Sequence, residues 1–163
     1  MAGFTTKTFT KHDDYMTPKC AWEAVKNYIP ANKVIWEAFY GNGDSGKYLK
    51  ELGFNVIHED IDFFTHNKGD IVVSNPPFTL KKEIIERLVS LNKPFMLIMP
   101  SSTLNCKYVR ESIKNEIQII IPRKRIQFKK LEAGKLIDTN KCNFDCFYFC
   151  YKMGLSRDII FLD

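Results

Sequence analysis

The sequence predicts an α/β fold: a mostly parallel sheet of the seven-stranded type, helices on both faces, and an antiparallel strand near the C-terminus. Three observations predict it. Short apolar runs alternate with amphipathic ones, "KVIWEAF" before "DSGKYLKELG" and "DIVVS" before "TLKKEIIERLVSLN", which is the rhythm of strand–helix–strand units. The early runs are apolar throughout rather than at alternate residues, as in strands covered on both faces. After "IQIIIP" the alternation fails, and "NFDCFYFCYK" follows with no clear helix between. A strand that returns without a crossover helix runs antiparallel.

Each element has its own signal. Thr17-Pro18 reads as a helix cap followed by proline in the first turn. That helix is expected through Trp22, Ala24, Val25 and Tyr28 to Ile29, where Pro30 stops it. "KVIWEAFYGNG" is a strand ending in an acid and a glycine turn. "DSGKYLKELG" is a helix with Asp44 as candidate cap and Gly53 as exit. "FNVIHEDI" and "DIVVSNPPF" are the second and third strands. In the next helix Ile84, Ile85, Leu88 and Leu91 share one side. "KPFMLIMP" is a strand, "LNCKYVRESIK" a helix and "IQIIIP" a strand. Arg123 to Lys141 reads as basic and irregular, and the tail "DIIFLD" as a short edge strand. Residues 1–13 are expected to form a flexible N-terminal segment, and 14–163 a single catalytic domain with no separate target-recognition domain.

Composition narrows the classes. A chain of 163 residues, 45% hydrophobic, suffices for one sizeable core. No apolar run approaches the roughly 20 residues of a spanning helix, and the polar start "MAGFTTKTFTKHDDY" lacks a secretory signal. A membrane role is not expected, and the location is expected to be intracellular. Five cysteines without a CxxC pair argue against a disulfide framework or a zinc site. Cys142, Cys146 and Cys150 recur at every fourth position, on one face of a strand, which suits packing; no metal is expected. The net charge is +5, with Arg123, Lys124, Arg125, Lys129 and Lys130 nearly contiguous. Such a patch permits a polyanionic partner.

In parallel sheets, ligands bind outside the carboxyl ends of the strands. There, Gly41 and Gly43 let the backbone turn tightly and approach a ligand. Only two of the usual dinucleotide glycines are present and no Gly-Lys-Ser/Thr follows, so a phosphate cradle is weakly supported. Glu37, directly before the turn, suits a ligand with a cationic amino group better than a diphosphate. At the end of the second strand a carboxylate can accept hydrogen bonds from both ribose hydroxyls; Asp60 is favoured by strand alternation, with Glu59 its rival. Asp62 could hold an adenine amino group and Phe63 pack on its ring. The plain alternative for this acidic cluster is a solvated loop.

Asn75-Pro76-Pro77-Phe78 carries the sharpest signal. The Asn75 side chain has an acceptor oxygen, and Pro76 presents its carbonyl from a stiff backbone. Two adjacent acceptors can grip both hydrogens of an –NH2 group, while Phe78 offers a face for a flat ring, worth about 1–3 kcal/mol for a base. An exocyclic aromatic amine is a poor nucleophile because its lone pair is delocalised. Two acceptors draw the nitrogen toward a tetrahedral shape and aim the lone pair at an electrophile. No strong base is needed before attack; the work is positioning and electrostatics.

These residues resemble the S-adenosylmethionine-dependent amino-methyltransferases, most closely the small viral or phage-type N6-adenine DNA methyltransferases. "NPPF" is similar to their catalytic motif and "EAFYGNG" to their cofactor loop, with Ala38 in place of the usual proline. "DYMTP" resembles the segment that packs over the methionine part of the cofactor. The resemblance implies a Rossmann-like class I methyltransferase fold and S-adenosyl-L-methionine as cofactor. It implies cofactor contacts at Tyr15, Thr17, Glu37, Phe39, Gly41, Gly43, Asp60, Asp62 and Phe63, and Asn75, Pro76, Pro77 and Phe78 as catalytic residues. One departure is that the ribose acid and the "DF" pair are separated here by a single residue.

The resemblance further implies DNA as partner, with the target base flipped out of the stack and the flanking backbone held by the basic stretch. RNA bases or a protein glutamine are alternative substrates of the same chemistry, and a non-catalytic partner subunit is the alternative outside catalysis. Specificity could come from a homodimer or a separate specificity subunit.

Overall fold

Ile35 and Trp36 are neighbours in sequence and lie in different cores, on opposite faces of one sheet. The computed structural model describes residues 15–133, 135–138 and 144–163; the expected flexible segment 1–13, together with Asp14 and Cys142, lies outside the described residues. Seven strands form the central sheet. They are β2 (Val34–Trp36), β3 (Asn55–Ile57), β4 (Ile71–Ser74), β5 (Phe95–Pro100), β6 (Ile117–Ile121), β9 (Cys146–Tyr151) and β10 (Ile159–Phe161), in the spatial order β10-β6-β9-β5-β4-β2-β3. Neighbours pair in parallel except around β9, which is antiparallel to both β5 and β6. The expected antiparallel return and the short edge strand are both present.

The period of two explains the cores. Ile35, Val73, Met96, Ile98, Tyr148 and Cys150 face α1 (Lys19–Glu23) and α2 (Asp44–Glu51). Trp36, Val72, Phe95, Leu97 and Phe149 face α3 (Lys81–Ser90) and α4 (Lys107–Ser112). Every one of these strand residues is buried, each worth roughly 1.5–3 kcal/mol for a large apolar side chain. α3 buries Ile84, Ile85 and Leu88, the expected stripe. Cys146 and Cys150 are buried within the first core, as packing requires.

Four details differ from the sequence expectations. The first helix is split: α1 ends at Glu23, Val25 leaves the helical region at φ −112°, ψ 7°, and a 3-10 turn covers Lys26–Tyr28. The break lets Val25 and Ile29 both stay inside. Pro18, not Thr17, is the capping residue of α1, and the buried Thr17 hydroxyl has no partner. Gly43, at φ 87°, caps α2, while Asp44 accepts from the Asn42 amide at 2.8 Å. A left-handed residue there leaves glycine as the unstrained choice. Lastly, the stretch from Arg123 to Lys141 is not wholly irregular. It contains β7 (Lys129–Glu132) and β8 (Lys135–Asp138), an antiparallel pair that joins β1 (Tyr15–Met16) in a second sheet, with Tyr15 opposite Lys130 and Met16 opposite Lys129.

Candidate active site

The chain leaves β2 for β3 on one side of the sheet and returns to β4 on the other. Strand order reverses there, and a crevice opens at the carboxyl ends of β2 and β4. Glu37 follows β2, Asn75 follows β4, and β1 crosses in front of them. The resulting pocket is lined by Tyr15, Thr17, Glu37, Phe39, Gly41 and Asn75 through Phe78, with Met16, Tyr40, Asn42 and Ser45.

Glu37 is wholly buried. One of its oxygens, Oε1, accepts from the Ser74 hydroxyl and, at 3.0 Å, from the Phe39 N–H. Among the described residues it forms no ion pair. Burial pushes its carboxyl up from 4.5 to about 8, although the bonds from Ser74 and Phe39 oppose the shift. The pocket therefore has an acid in its wall that lacks a counter-charge. Gly41, at φ 60°, and Gly43 carry the loop past this carboxyl.

Asn75 is held at one end only. Its Nδ2 donates to the Tyr15 carbonyl at 3.1 Å, and its Oδ1 is buried without a partner. A carbonyl can only accept, so the amide nitrogen must face Tyr15 and the oxygen must face the pocket. Phe78 opens the 3-10 turn Phe78–Leu80. Its ring meets Phe128 edge-on at 6.4 Å and Phe144 at 5.8 Å, and these two stack on each other at 5.9 Å.

The remaining candidates stand outside this pocket. Phe63 is fully buried in the second core against Trp36, Phe39 and Phe64. It supports Phe39 from beneath and offers no open ring face. The Asp62 carboxylate accepts the Phe64 N–H at 2.8 Å and closes its own turn. Asp60 is exposed in the loop after β3, and its rival Glu59 pairs with Lys68 at 3.3 Å. Arg123, Lys124, Arg125 and Lys129 line a second depression next to α1. Arg125 is committed to Asp145 through two bonds of 2.8 and 3.1 Å. Lys130 lies in β7 beside Tyr15.

Sequence reasoning passed over Ser74, Phe128 and Phe144. Ser74 had a signal: it is a polar residue ending the apolar run "IVV" directly before Asn75. The two phenylalanines had none, since their place beside Phe78 depends on long-range pairing.

A model of the family described as adenine-specific methyltransferase EcoRI matches residues 25–140. That span includes the Glu37 loop and Asn75 to Phe78. The Type II methyltransferase M.EcoRI of Escherichia coli is 33% identical over 88 residues, which are 45% of this chain and 27% of that protein. The chain therefore represents well under two thirds of that relative's length. A solved structure from Listeria monocytogenes, described as a class I S-adenosylmethionine-dependent methyltransferase, aligns with a TM-score of 0.54 at 12% identity, over 95% of this chain and 67% of the other. The fold is thus that of the class I methyltransferases.

Proposed function

Because the chain belongs to the adenine-specific methyltransferase EcoRI family, we propose that it transfers a methyl group from S-adenosyl-L-methionine to the N6 amine of adenine in DNA. The observation that carries this reading is the buried Asn75 Oδ1, turned away from Tyr15 and lacking a hydrogen-bond partner. Leaving an acceptor unpaired inside a protein costs about 1–3 kcal/mol, and an incoming –NH2 group removes that cost.

The pocket suits the cofactor in two respects. The Glu37 carboxyl has no cation beside it, so an amino-acid ammonium can supply the missing charge. The left-handed Gly41 lets the loop approach a ligand closely. Tyr15, Thr17 and Phe39 complete the wall on the methionine side, with Gly43 setting the entry to α2. Asp60 and Asp62 are assigned to the outer end, toward ribose and adenine, and Phe63 acts there by holding Phe39 in place. When bound, S-adenosylmethionine supplies an electrophilic methyl carbon.

Asn75 Oδ1 and the Pro76 carbonyl accept the two N6 hydrogens and reshape the nitrogen. Pro77 keeps that backbone stiff, and Phe78 stacks on the base. The N6 lone pair forms the new N–C bond as the carbon–sulfur bond breaks, and the N6 proton leaves afterwards to water. Arg123, Lys124, Arg125, Lys129 and Lys130 attract the phosphates. The test is mass spectrometry of nucleosides from DNA and RNA incubated with protein and cofactor. N6-methyladenine is expected from DNA and is expected to vanish with Asn75→Ala. Methylation confined to RNA, or none on either, would overturn the assignment.

A further inference from the structure

A groove of about 990 Å³ runs beside the active pocket, at the upper end of the ~300–1,000 Å³ typical of ligand sites. Thr17 lines the pocket and Pro18, the next residue, lines the groove. Phe128 belongs to the groove wall, yet its ring reaches Phe78 at 6.4 Å and Tyr15 at 6.3 Å. The two spaces are therefore continuous around one aromatic side chain.

The walls of the groove are carbon and its rim is cationic. Ala21, Ile126 and Tyr148 form the buried part of the wall, and the Tyr148 hydroxyl is turned away to the Ala21 carbonyl. Arg123, Lys124 and Lys129 are exposed around it and make no ion pair among the described residues. Asp163 is the single acid among the lining residues. A polar metabolite would find little to bond on the walls, and a neutral apolar ligand would leave three cations unused. An unstacked nucleotide strand uses both, with bases against carbon and phosphates against the cations.

We propose that the groove binds the nucleotides next to the target adenine as an unstacked single strand. This rests on the reading of the pocket as an adenine-N6 site and extends it to the flanking strand. A duplex must open at the neighbouring nucleotide as well as at the target, so single-stranded or frayed DNA is the preferred substrate.

The probe is a fluorescein-labelled single-stranded DNA oligonucleotide with one adenine, and versions lacking the base on either side of it. Binding is read by anisotropy across a salt series, with cofactor affinity measured separately by calorimetry. Removing the flanking base is expected to weaken binding about tenfold, from roughly 1–3 kcal/mol per stacked base. The triple variant R123A/K124A/K129A is expected to lower the salt slope by about 2, at roughly 0.7 per phosphate on single strands. Ala24→Glu, an exposed change on the groove wall, is expected to raise the DNA KM with cofactor affinity held. The proposal is overturned if the oligonucleotide is methylated while abasic flanks, Ala24→Glu and the triple variant all leave its binding unchanged. Loss of methylation on every nucleic acid, with binding still sensitive to the groove, would instead strike the adenine-N6 reading alone.

Discussion

The side-chain amide of Asn75 donates to the main-chain carbonyl of Tyr15 at 3.1 Å, and that single bond decides which way its oxygen points. The first prediction follows. Asn75→Asp keeps two acceptors and loses the donor, so a carboxylate faces a carbonyl and is pushed from its position. Methyl transfer in a single turnover is expected to slow at least tenfold in Asn75→Asp. The loss in Asn75→Ala should be larger, about the 10²–10³ seen when one positioned hydrogen-bonding group is removed. An aspartate variant as fast as the native protein would show that the Tyr15 bond does not orient the clamp.

Glu37 gives the molecule a pH dependence. Its folded carboxyl titrates near 8 against an ordinary value of 4.5. Between those values the folded state holds a proton that the unfolded state has released, so stability falls as pH rises through that window. The contribution is fully present below 4.5 and lost above 8. Each unit is worth roughly 1.4 kcal/mol, which makes the slope measurable. Urea unfolding of the cofactor-free protein at several pH values is expected to show this slope, and Glu37→Gln is expected to flatten it. A cation in the pocket favours the carboxylate, so S-adenosylmethionine binding near neutral pH should release about one proton. Calorimetry in buffers of different ionisation enthalpy reads that number directly, and Glu37→Gln should remove it.

Local pattern and long-range pairing explain what could be read in advance. Ile35, Val72 and Met96 sit in apolar runs that need two covered faces, so the parallel sheet was visible without a structure. Asn75-Pro76-Pro77-Phe78 was visible because its chemistry is contained in four adjacent residues. β1 was not: two residues, Tyr15 and Met16, form a strand only because Lys129 and Lys130 arrive opposite them. Phe63 was misjudged for a related reason. An aromatic beside an acid can meet a ligand or fill a core, and only Trp36 and Phe39 packed around it decide for the core.

Phe78 should act through its face rather than its size. Phe78→Tyr preserves the ring and is expected to keep the DNA KM within about threefold. Phe78→Leu retains apolar volume but loses the stacking plane, and is expected to raise the KM about tenfold or more, from roughly 1–3 kcal/mol of base stacking. Equal KM values for tyrosine and leucine would mean that the base does not lie on this ring.

Gly46 tests the packing behind the cofactor loop. A Cβ there would come within 2.3 Å of the His58 ring. That ring stacks on Tyr40 at 5.8 Å, and its buried Nδ1 has no partner. Burial also holds the imidazole below its usual range, with Lys50 adding to the shift, so the ring stays neutral and packs as an apolar plate. Gly46→Ala must displace His58, and Tyr40 with it, at the ~1–3 kcal/mol typical of overpacking. Since Tyr40 lines the cofactor pocket, the variant is expected to melt several degrees lower and to bind S-adenosylmethionine more weakly. The double variant Gly46→Ala/His58→Ala makes room for the methyl group, so it should regain cofactor affinity relative to Gly46→Ala alone. If it does not, His58 is not what the added methyl strikes.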